Sequence, residues 1–68
     1  MKNRIEEFRK SRGLTQQALG DALGVSRQTI ISLENGRYNP SLILAHSLAV
    51  LFDRTIEEIF LFDEEETV

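Results

Sequence analysis

The sequence has no cysteine and a single histidine, and these shortages limit the chemistry that the chain can support. Without thiols it forms neither disulfide bonds nor thiolate metal sites, and a reducing cytoplasm suits such a chain. Apolar runs of membrane-spanning length are absent too, and the charged stretch MKNRIEEF is unlike a signal peptide. We therefore expect a cytoplasmic protein with no cofactor, no metal, no membrane association and no evident small-molecule ligand.

Proline occurs once and glycine four times, mostly where a helical chain would turn. Gly13, Gly24 and Gly36 each follow a helical pattern, and Pro40 lies in a polar loop. Residues of the type that caps a helix N-terminus precede four of the five segments, namely Thr15, Ser26, Ser41 and Thr55. The predicted helices cover about residues 3–12, 16–23, 27–34, 42–52 and 56 onward.

A chain of 68 residues allows one domain (residues 1–68) with one small core, so its stability should be marginal. Helical spacing of the apolar residues predicts an all-α, five-helix fold. The predicted core consists of Ile5, Phe8, Leu14, Leu19, Leu23, Val25, Ile30, Leu33, Leu42, Leu44, Ala45, Leu48, Ala49, Phe52, Ile56 and Ile59. Because disulfides and thiolate metal sites are excluded, association of two copies is the remaining way to stabilise the chain.

The net charge of −3 conceals a strong asymmetry along the chain. Residues 1–54 contain all eight basic residues and five acidic ones, a net charge of +3, whereas residues 55–68 contain six acidic residues and no basic one. Charges in water act over roughly a Debye length, about 10 Å at 0.1 M salt, so the local sign governs attraction to a polyanion. The basic part can face nucleic acid while the acidic C-terminus faces away.

Residues 16–35, QQALGDALGVSRQTIISLEN, carry the clearest functional pattern. Two short helical patterns meet at a glycine, and apolar or small residues occupy the positions that would face each other. That spacing suits two helices packed at a steep angle with one polar face left exposed, which is the geometry of a helix-turn-helix. The pattern predicts binding to double-stranded DNA.

The segment GLTQQALGDALGVSRQTIISLENGRYNPSL resembles the helix-turn-helix of phage repressors and Cro, the Xre family. The resemblance covers about residues 3–60 and implies a repressor-type domain that regulates transcription as a homodimer. One departure is Gly20, where alanine is commoner in the family. Similar family members pair an arginine of the first helix with a glutamate ending the recognition helix, which implies a structural ion pair between Arg9 and Glu34. The alternative for these two residues is a pair of independent surface charges.

Four residues at the start of the second helix of the motif are the candidates for base and phosphate contact: Ser26, Arg27, Gln28 and Ser32. Ser26 would place a hydroxyl and free amides at a helix N-terminus, where phosphate binds. Arginine pairs with guanine O6 and N7, and glutamine with adenine N6 and N7. The alternative is that Arg27 and Gln28 are ordinary solvated residues.

Further DNA contacts are expected on both sides of that helix. Gln16 should reach phosphate, as the resemblance also implies, and Gln17 either contacts phosphate, orients Gln28 or is simply exposed. The loop after the recognition helix supplies Asn35, Arg37, Tyr38 and Asn39, which would follow the sugar-phosphate backbone. Turn formation is the competing role in this loop, and we favour phosphate contact for Arg37 and both roles for Asn35.

The apolar run Ile59, Phe60, Leu61 and Phe62, followed by four acidic residues, is the candidate dimerisation segment, within a C-terminal region of about residues 56–68. It can form a strand that pairs with its copy across a two-fold axis, while the acidic residues keep that edge soluble. It can instead extend the fifth helix so that Phe62 packs on its own domain, or it can be a frayed tail.

These patterns favour a transcriptional regulator, most simply a repressor that binds a palindromic operator as a homodimer. The alternative is an antitoxin or adaptor of the same fold that acts through a protein partner. An enzyme finds no support, since the sequence shows no nucleophile–base pair and no glycine-rich phosphate loop. The adjacent Glu57 and Glu58 do not converge on one site, because successive helical residues point apart.

Overall fold

The structure, a computed structural model, describes residues 1–62. In chain order its elements are β1 (Lys2–Asn3), α1 (Ile5–Ser11), α2 (Gln16–Leu23), α3 (Arg27–Glu34), α4 (Leu42–Phe52), α5 (Ile56–Ile59) and β2 (Phe60–Leu61). The five predicted helices are present, and the predicted all-α class gains only a two-stranded sheet. Among the helices described, none has the length and apolar character needed to cross a membrane.

The helices begin at the residues whose side chains can satisfy free backbone amides. The hydroxyl of Thr15 accepts from the amide of Ala18, and Ser26, Ser41 and Thr55 do the same for the amide three residues further on. Helix α2 ends at Gly24, which adopts the left-handed conformation (φ 73°) that a side chain disfavours. Local capping chemistry therefore sets the boundaries of α2 to α5.

One apolar core joins all five helices and the end of the chain. Its centre is the fully buried set Ile5, Leu19, Ile30, Leu33, Leu48, Phe52 and Ile59. The rings of Phe8 and Phe52 meet with centroids 5.9 Å apart, which ties α1 to α4. The prediction that Leu42 belongs to the core is wrong: it is the first residue of α4 and is 79% exposed. Phe60, which was not assigned to the core, is buried.

The two strands form an antiparallel pair within one chain, with Lys2 opposite Leu61 and Asn3 opposite Phe60. The prediction of a C-terminal strand was right, but this pairing is with the N-terminus of the same chain and not with a second copy. Extension of the fifth helix was wrong, because the backbone turns extended at Phe60 (φ −106°, ψ 122°). The first helix, predicted over residues 3–12, begins instead at Ile5, and Asn3 belongs to β1. A strand of two residues is too short to show a period. The predicted acidic tail, residues 63–66, lies outside the described residues.

Candidate nucleic-acid interface

Helices α2 and α3 meet at a tight corner that glycine makes possible. The amide of Val25 donates to the carbonyl of Gly20 (2.9 Å), and a Cβ on Gly20 would lie only 2.7 Å from the carbonyl oxygen of Val25. Leu19 of α2 and both Ile30 and Leu33 of α3 are buried beneath this corner. Because those side chains fix the inner face of α3, its opposite face is left to solvent.

The exposed face of α3 presents polar side chains at its N-terminal end. Ser26, Arg27 and Gln28 are all exposed. A shallow groove beside them is lined by Ser26, Gln28, Thr29, Ser32 and Tyr38, so the structure brings four of the predicted DNA-binding residues together. Thr29 is the member that the sequence reasoning missed, although its spacing of three residues from both Ser26 and Ser32 places it on the same helical face.

The hydroxyl of Ser26 serves the helix and remains at the surface. It accepts from the amide of Thr29 (3.1 Å) and lies 3.0 Å from the Thr29 hydroxyl. The amides of Arg27 and Gln28 precede the first intrahelical donor, the Ile30 amide, which bonds to Ser26 O (3.3 Å). The site therefore combines free helix amides with an exposed arginine, which is the arrangement that attracts a phosphate group.

The two glutamines at the start of α2 contact protein carboxylates in the structure. Gln16 Nε2 donates to Glu34 Oε1 (3.2 Å), so this side chain links the start of α2 to the end of α3. Gln17 Nε2 donates to Asp21 Oδ1 (2.9 Å) one turn along its own helix and does not contact Gln28. Gln17 is exposed and Gln16 half-buried, so their predicted phosphate contacts remain predictions.

Arg9 and Glu34 form a buried, bidentate ion pair between α1 and the end of α3. Arg9 Nε donates to Glu34 Oε2 (2.6 Å) and Arg9 Nη2 to Glu34 Oε1 (3.3 Å). Only 9% of the arginine side chain and 4% of the glutamate side chain are exposed. Arg9 Nη1 also donates to the carbonyl of Leu14 (2.8 Å), so the guanidinium fork is engaged on two sides.

The loop after α3 is shaped by backbone hydrogen bonds that leave its side chains outside. The amide of Arg37 donates to the carbonyl of Ser32 (3.0 Å), and Gly36 takes the left-handed conformation (φ 74°). Arg37, Tyr38 and Asn39 are exposed, as is Asn35 at the end of the helix. Within residues 1–62, neither Arg27 nor Arg37 forms an ion pair. Their charges are therefore available to an anionic partner.

The predicted dimerisation segment is divided between core and surface. Ile59 and Phe60 are buried in their own chain, whereas Leu61 and Phe62 are exposed, Phe62 by 51%. Phe62 lines an apolar concavity next to β2. Its lining is Met1, Asn39, Pro40, Leu42, Ala45, Ile56, Phe60 and Phe62. The structure thus places Phe62 beside the exposed Leu42, a neighbour that its position in the sequence did not indicate.

The sequence matches a known protein family and several transcriptional regulators. The family model described as Helix-turn-helix matches residues 5–59. An HTH-type transcriptional regulator of Methanothermobacter thermautotrophicus is 56% identical over 66 residues, covering 96% of each chain. One from Archaeoglobus fulgidus is 52% identical over 66 residues, covering 97% of this chain and 94% of that protein.

A solved structure shows the same fold at lower identity. The crystal structure of the restriction-modification controller protein C.AhdI from Aeromonas hydrophila superimposes with a TM-score of 0.74 at 33% identity. The match covers 84% of this chain and 86% of that one. The span matched by the family model, residues 5–59, includes both helices of the candidate interface.

Proposed function

Because the chain belongs to the helix-turn-helix family of the Xre type, whose members are DNA-binding transcriptional regulators, we propose that it represses transcription as a homodimer bound to a palindromic operator. The family is not a class of enzymes. The proposed action is occlusion: a dimer that covers successive major grooves blocks access to the promoter beneath it. This activity belongs in the cytoplasm, where the DNA is.

The observation that carries the proposal is the exposed N-terminal half of α3. Its inner face is buried, Arg27 and Gln28 are exposed, and Arg27 forms no salt bridge among the described residues. In a helix-turn-helix, the N-terminal residues of the second helix contact base edges in the major groove. Arginine and glutamine are the side chains that read guanine and adenine there through paired hydrogen bonds. We assign base contact to these two residues.

The remaining predicted contacts supply affinity and register in this proposal. Arg37, Tyr38 and Asn39 are exposed in the loop after α3, and Ser26 caps the helix whose free amides attract phosphate. Gln16, Gln17, Ser32 and Asn35 complete the proposed surface. Since phosphate contacts dominate protein–DNA affinity, binding should weaken steeply as salt is raised.

The homodimer is supported by apolar surface that one chain leaves open. Phe62 and Leu42 are both exposed and line one concavity, together with Pro40 and Ile56. A second copy that covers this concavity would bury large apolar side chains, which is the usual source of dimer stability. A two-fold axis there would also have to place two α3 helices roughly 34 Å apart, one helical turn of DNA.

The decisive experiment selects an operator from random duplexes and then tests the two base-reading residues. Arg27→Ala and Gln28→Ala should each weaken operator binding by roughly 1–3 kcal/mol, with a smaller change on a scrambled duplex. Titration of both duplexes at one salt concentration measures this. The control is Lys10→Ala, which removes a positive charge from α1, where Lys10 pairs with Glu6 (2.7 Å).

Two outcomes would contradict the proposal at different points. Equal losses on both duplexes would make Arg27 and Gln28 backbone contacts instead of base readers. If the folded wild-type chain enriches no duplex, the proposed DNA binding is wrong. The alternative function, an adaptor or antitoxin that binds a protein partner, would then be favoured.

A further inference from the structure

Three parts of the molecule meet at Asn3, outside the proposed DNA-binding surface. Its side-chain Nδ2 donates to the carbonyl of Leu33 (2.7 Å) in the last turn of α3. Its Oδ1 accepts from the amide of Ile5 (3.1 Å) at the first residue of α1. Its backbone lies in β1 opposite Phe60 of β2. One half-buried amide side chain therefore joins the recognition helix, the first helix and the sheet.

We propose that Asn3 is a positioning residue for DNA recognition, which holds the C-terminal end of α3, and the loop at 35–39, at the angle that base contact requires. This inference rests on the proposed function. Asn3 does not touch DNA in this scheme. It acts through the carbonyl of Leu33, to which the amide of Gly36 also donates (3.0 Å). The last turn and the loop thus share one anchoring point.

The chemistry of the site favours asparagine specifically. The last four carbonyls of a helix lack intrahelical donors, and Leu33 is among them. Its oxygen has two lone pairs, and it accepts from the amide of Gly36 and from Asn3 Nδ2. The first amides of α1 need an acceptor, because they too lack an intrahelical partner. The amide of asparagine carries its donor and its acceptor on two separate atoms, so it can serve the Leu33 carbonyl and the Ile5 amide at once. Both requirements are met by Asn3 in one orientation.

The sheet holds Asn3 in place from the other side. Besides the β1–β2 pairing, the amide of Arg4 donates to the carbonyl of Ile59 (2.7 Å), and Ile59 and Phe60 are buried. Met1, the residue before β1, lies against the loop after α3: its amino group donates to the carbonyl of Gly36 (3.0 Å), and a Cβ on Gly36 would lie 2.9 Å from the carbonyl oxygen of Met1. The end of α3 therefore rests on the sheet, and Asn3 is the side chain that joins them.

The test removes the donor to Leu33 and keeps the acceptor for Ile5. Asn3→Asp keeps the shape of the side chain and replaces the donating nitrogen with an oxygen that cannot donate when ionised. Asn3→Ser keeps one oxygen that can accept from Ile5 but lacks the amide nitrogen that donates to Leu33. If one variant folds poorly, the other still provides the test. We expect each to lower affinity for the selected operator about tenfold, the upper range for one lost hydrogen bond, and to leave scrambled-duplex affinity within about twofold. Amide chemical shifts of residues 33–37 in the free chain should also move.

A matched control separates positioning from general stability. Arg12→Ala removes the bond from Arg12 Nη2 to the carbonyl of Phe52 (2.9 Å), again a side-chain donor to a helix end, but at α4. It should lower the melting temperature and change both duplex affinities in parallel. If the Asn3 variants also lose stability without changing the ratio of operator to scrambled affinity, the positioning role is wrong. If the wild-type chain selects no duplex, the proposed function has failed instead.

Discussion

At the scale of single residues, Glu34 is the side chain on which the orientation of the recognition helix depends most. Its carboxylate accepts two hydrogen bonds from Arg9 and one from Gln16, which brings α1, α2 and the end of α3 to one point. A buried charge with this set of partners is tolerated, whereas removal of one partner leaves an uncompensated charge. The pair thus makes the relative placement of three helices depend on two side chains.

We predict that Glu34→Gln lowers stability far more than it changes base preference. The substitution leaves the Arg9 guanidinium buried without its counter-charge, and breaking such a pair costs about 3–5 kcal/mol. A domain of this size has a stability of roughly 0.05–0.15 kcal/mol per residue, so the variant should be partly unfolded at room temperature. Urea unfolding followed by circular dichroism measures the loss.

The matched control is the exposed pair on the outer face of α1. Lys10 Nζ and Glu6 Oε1 lie 2.7 Å apart, almost the same distance, but their side chains are 65% and 56% exposed. Glu6→Gln should leave the unfolding curve almost unchanged, because water already solvates both groups. Similar unfolding curves for the Glu34 and Glu6 variants would show that burial of the Arg9 pair contributes nothing.

At the scale of elements, the corner between α2 and α3 depends on Gly20. Alanine is the better helix former by about 1 kcal/mol, so the propensity of the helix alone favours Gly20→Ala. The added methyl group, however, would meet backbone atoms of Val25 and Ser26 at 2.7 to 3.4 Å. Backbone atoms cannot rotate aside as the end of a side chain can, so the two helices would have to move apart.

We predict that Gly20→Ala therefore lowers stability, by about 1 kcal/mol, because overpacking of 1–3 kcal/mol exceeds the gain in propensity. Urea unfolding tests this, with Gln17→Ala as the control on the exposed face of the same helix. If Gly20→Ala were more stable than wild type, α3 would have shifted away from α2 at little energetic cost. The change in operator affinity would then indicate the size of that shift.

The short helix α5 depends on a reciprocal cap. Thr55 Oγ1 accepts from the amide of Glu58 (3.1 Å), and Glu58 Oε1 accepts from the amide of Thr55 (2.9 Å). That backbone hydrogen bond, helped by Arg54, holds the pKa of Glu58 below its usual value of 4.5. A depressed pKa contributes stability above the unfolded-state value and loses it as the pH falls through the lower, folded value.

The melting temperature of the wild type should fall as the pH is lowered below 4.5. We expect a smaller fall for Glu58→Gln, because the variant has no carboxylate to protonate at this position. Melting curves of wild type and variant across this range provide the measurement, and an NMR titration of the Glu58 carboxyl gives the pKa directly. Glu57→Gln removes a charge from the same turn without touching the cap and serves as the control. Parallel curves for wild type and Glu58→Gln would contradict the linkage between cap and stability.

At the scale of the whole molecule, the unpaired cations and the apolar concavity belong mainly to different elements. Among the described residues, Arg27 of α3 and Arg37 of the following loop form no ion pair. The apolar concavity containing Leu42 and Phe62 is lined by residues of α4, α5 and β2, and it adjoins the same loop at Asn39. We propose that α3 and the exposed side chains of the loop contact DNA and that the concavity contacts a second copy.

We predict that Leu42→Ser together with Phe62→Ser gives a folded monomer with greatly weakened operator binding. Both side chains are exposed in one chain, so the fold should not need them, whereas a dimer would bury both. Sedimentation equilibrium gives the oligomeric state and circular dichroism the fold. Phe60 is less suitable for this test, because it is buried in the core of its own chain and its removal would destabilise the fold.

The control pair is Ile43→Ser with Val50→Ser, equally apolar and comparably exposed residues of α4 that do not line the concavity. This variant should remain dimeric with unchanged operator affinity. The opposite result would be a Leu42/Phe62 double variant that stays dimeric and an Ile43/Val50 double variant that becomes monomeric. It would place the interface on the other face of α4.

The sequence by itself determined the five helices, their caps and the face of α3 that is left to solvent. These features depend on neighbours within three or four residues, such as Ser26 with the amide of Thr29, so helical spacing and capping residues are sufficient to identify them. The helix-turn-helix motif is likewise continuous in the chain. Its family membership followed from that one stretch.

Only the tertiary structure decided how the distant segments pack. The pairing of Asn3 with Phe60 joins the N-terminal segment to the segment after α5, and strands of two residues carry no periodicity from which to predict it. Burial of Phe60 and exposure of Leu42 follow from that pairing and from the path of α4. The Arg9–Glu34 contact, which the family resemblance implied, spans 25 residues. Its near-complete burial is known only from the structure, because it depends on how α1 packs against the end of α3. Contacts across such separations are fixed by packing, because no local preference of the chain distinguishes one distant partner from another.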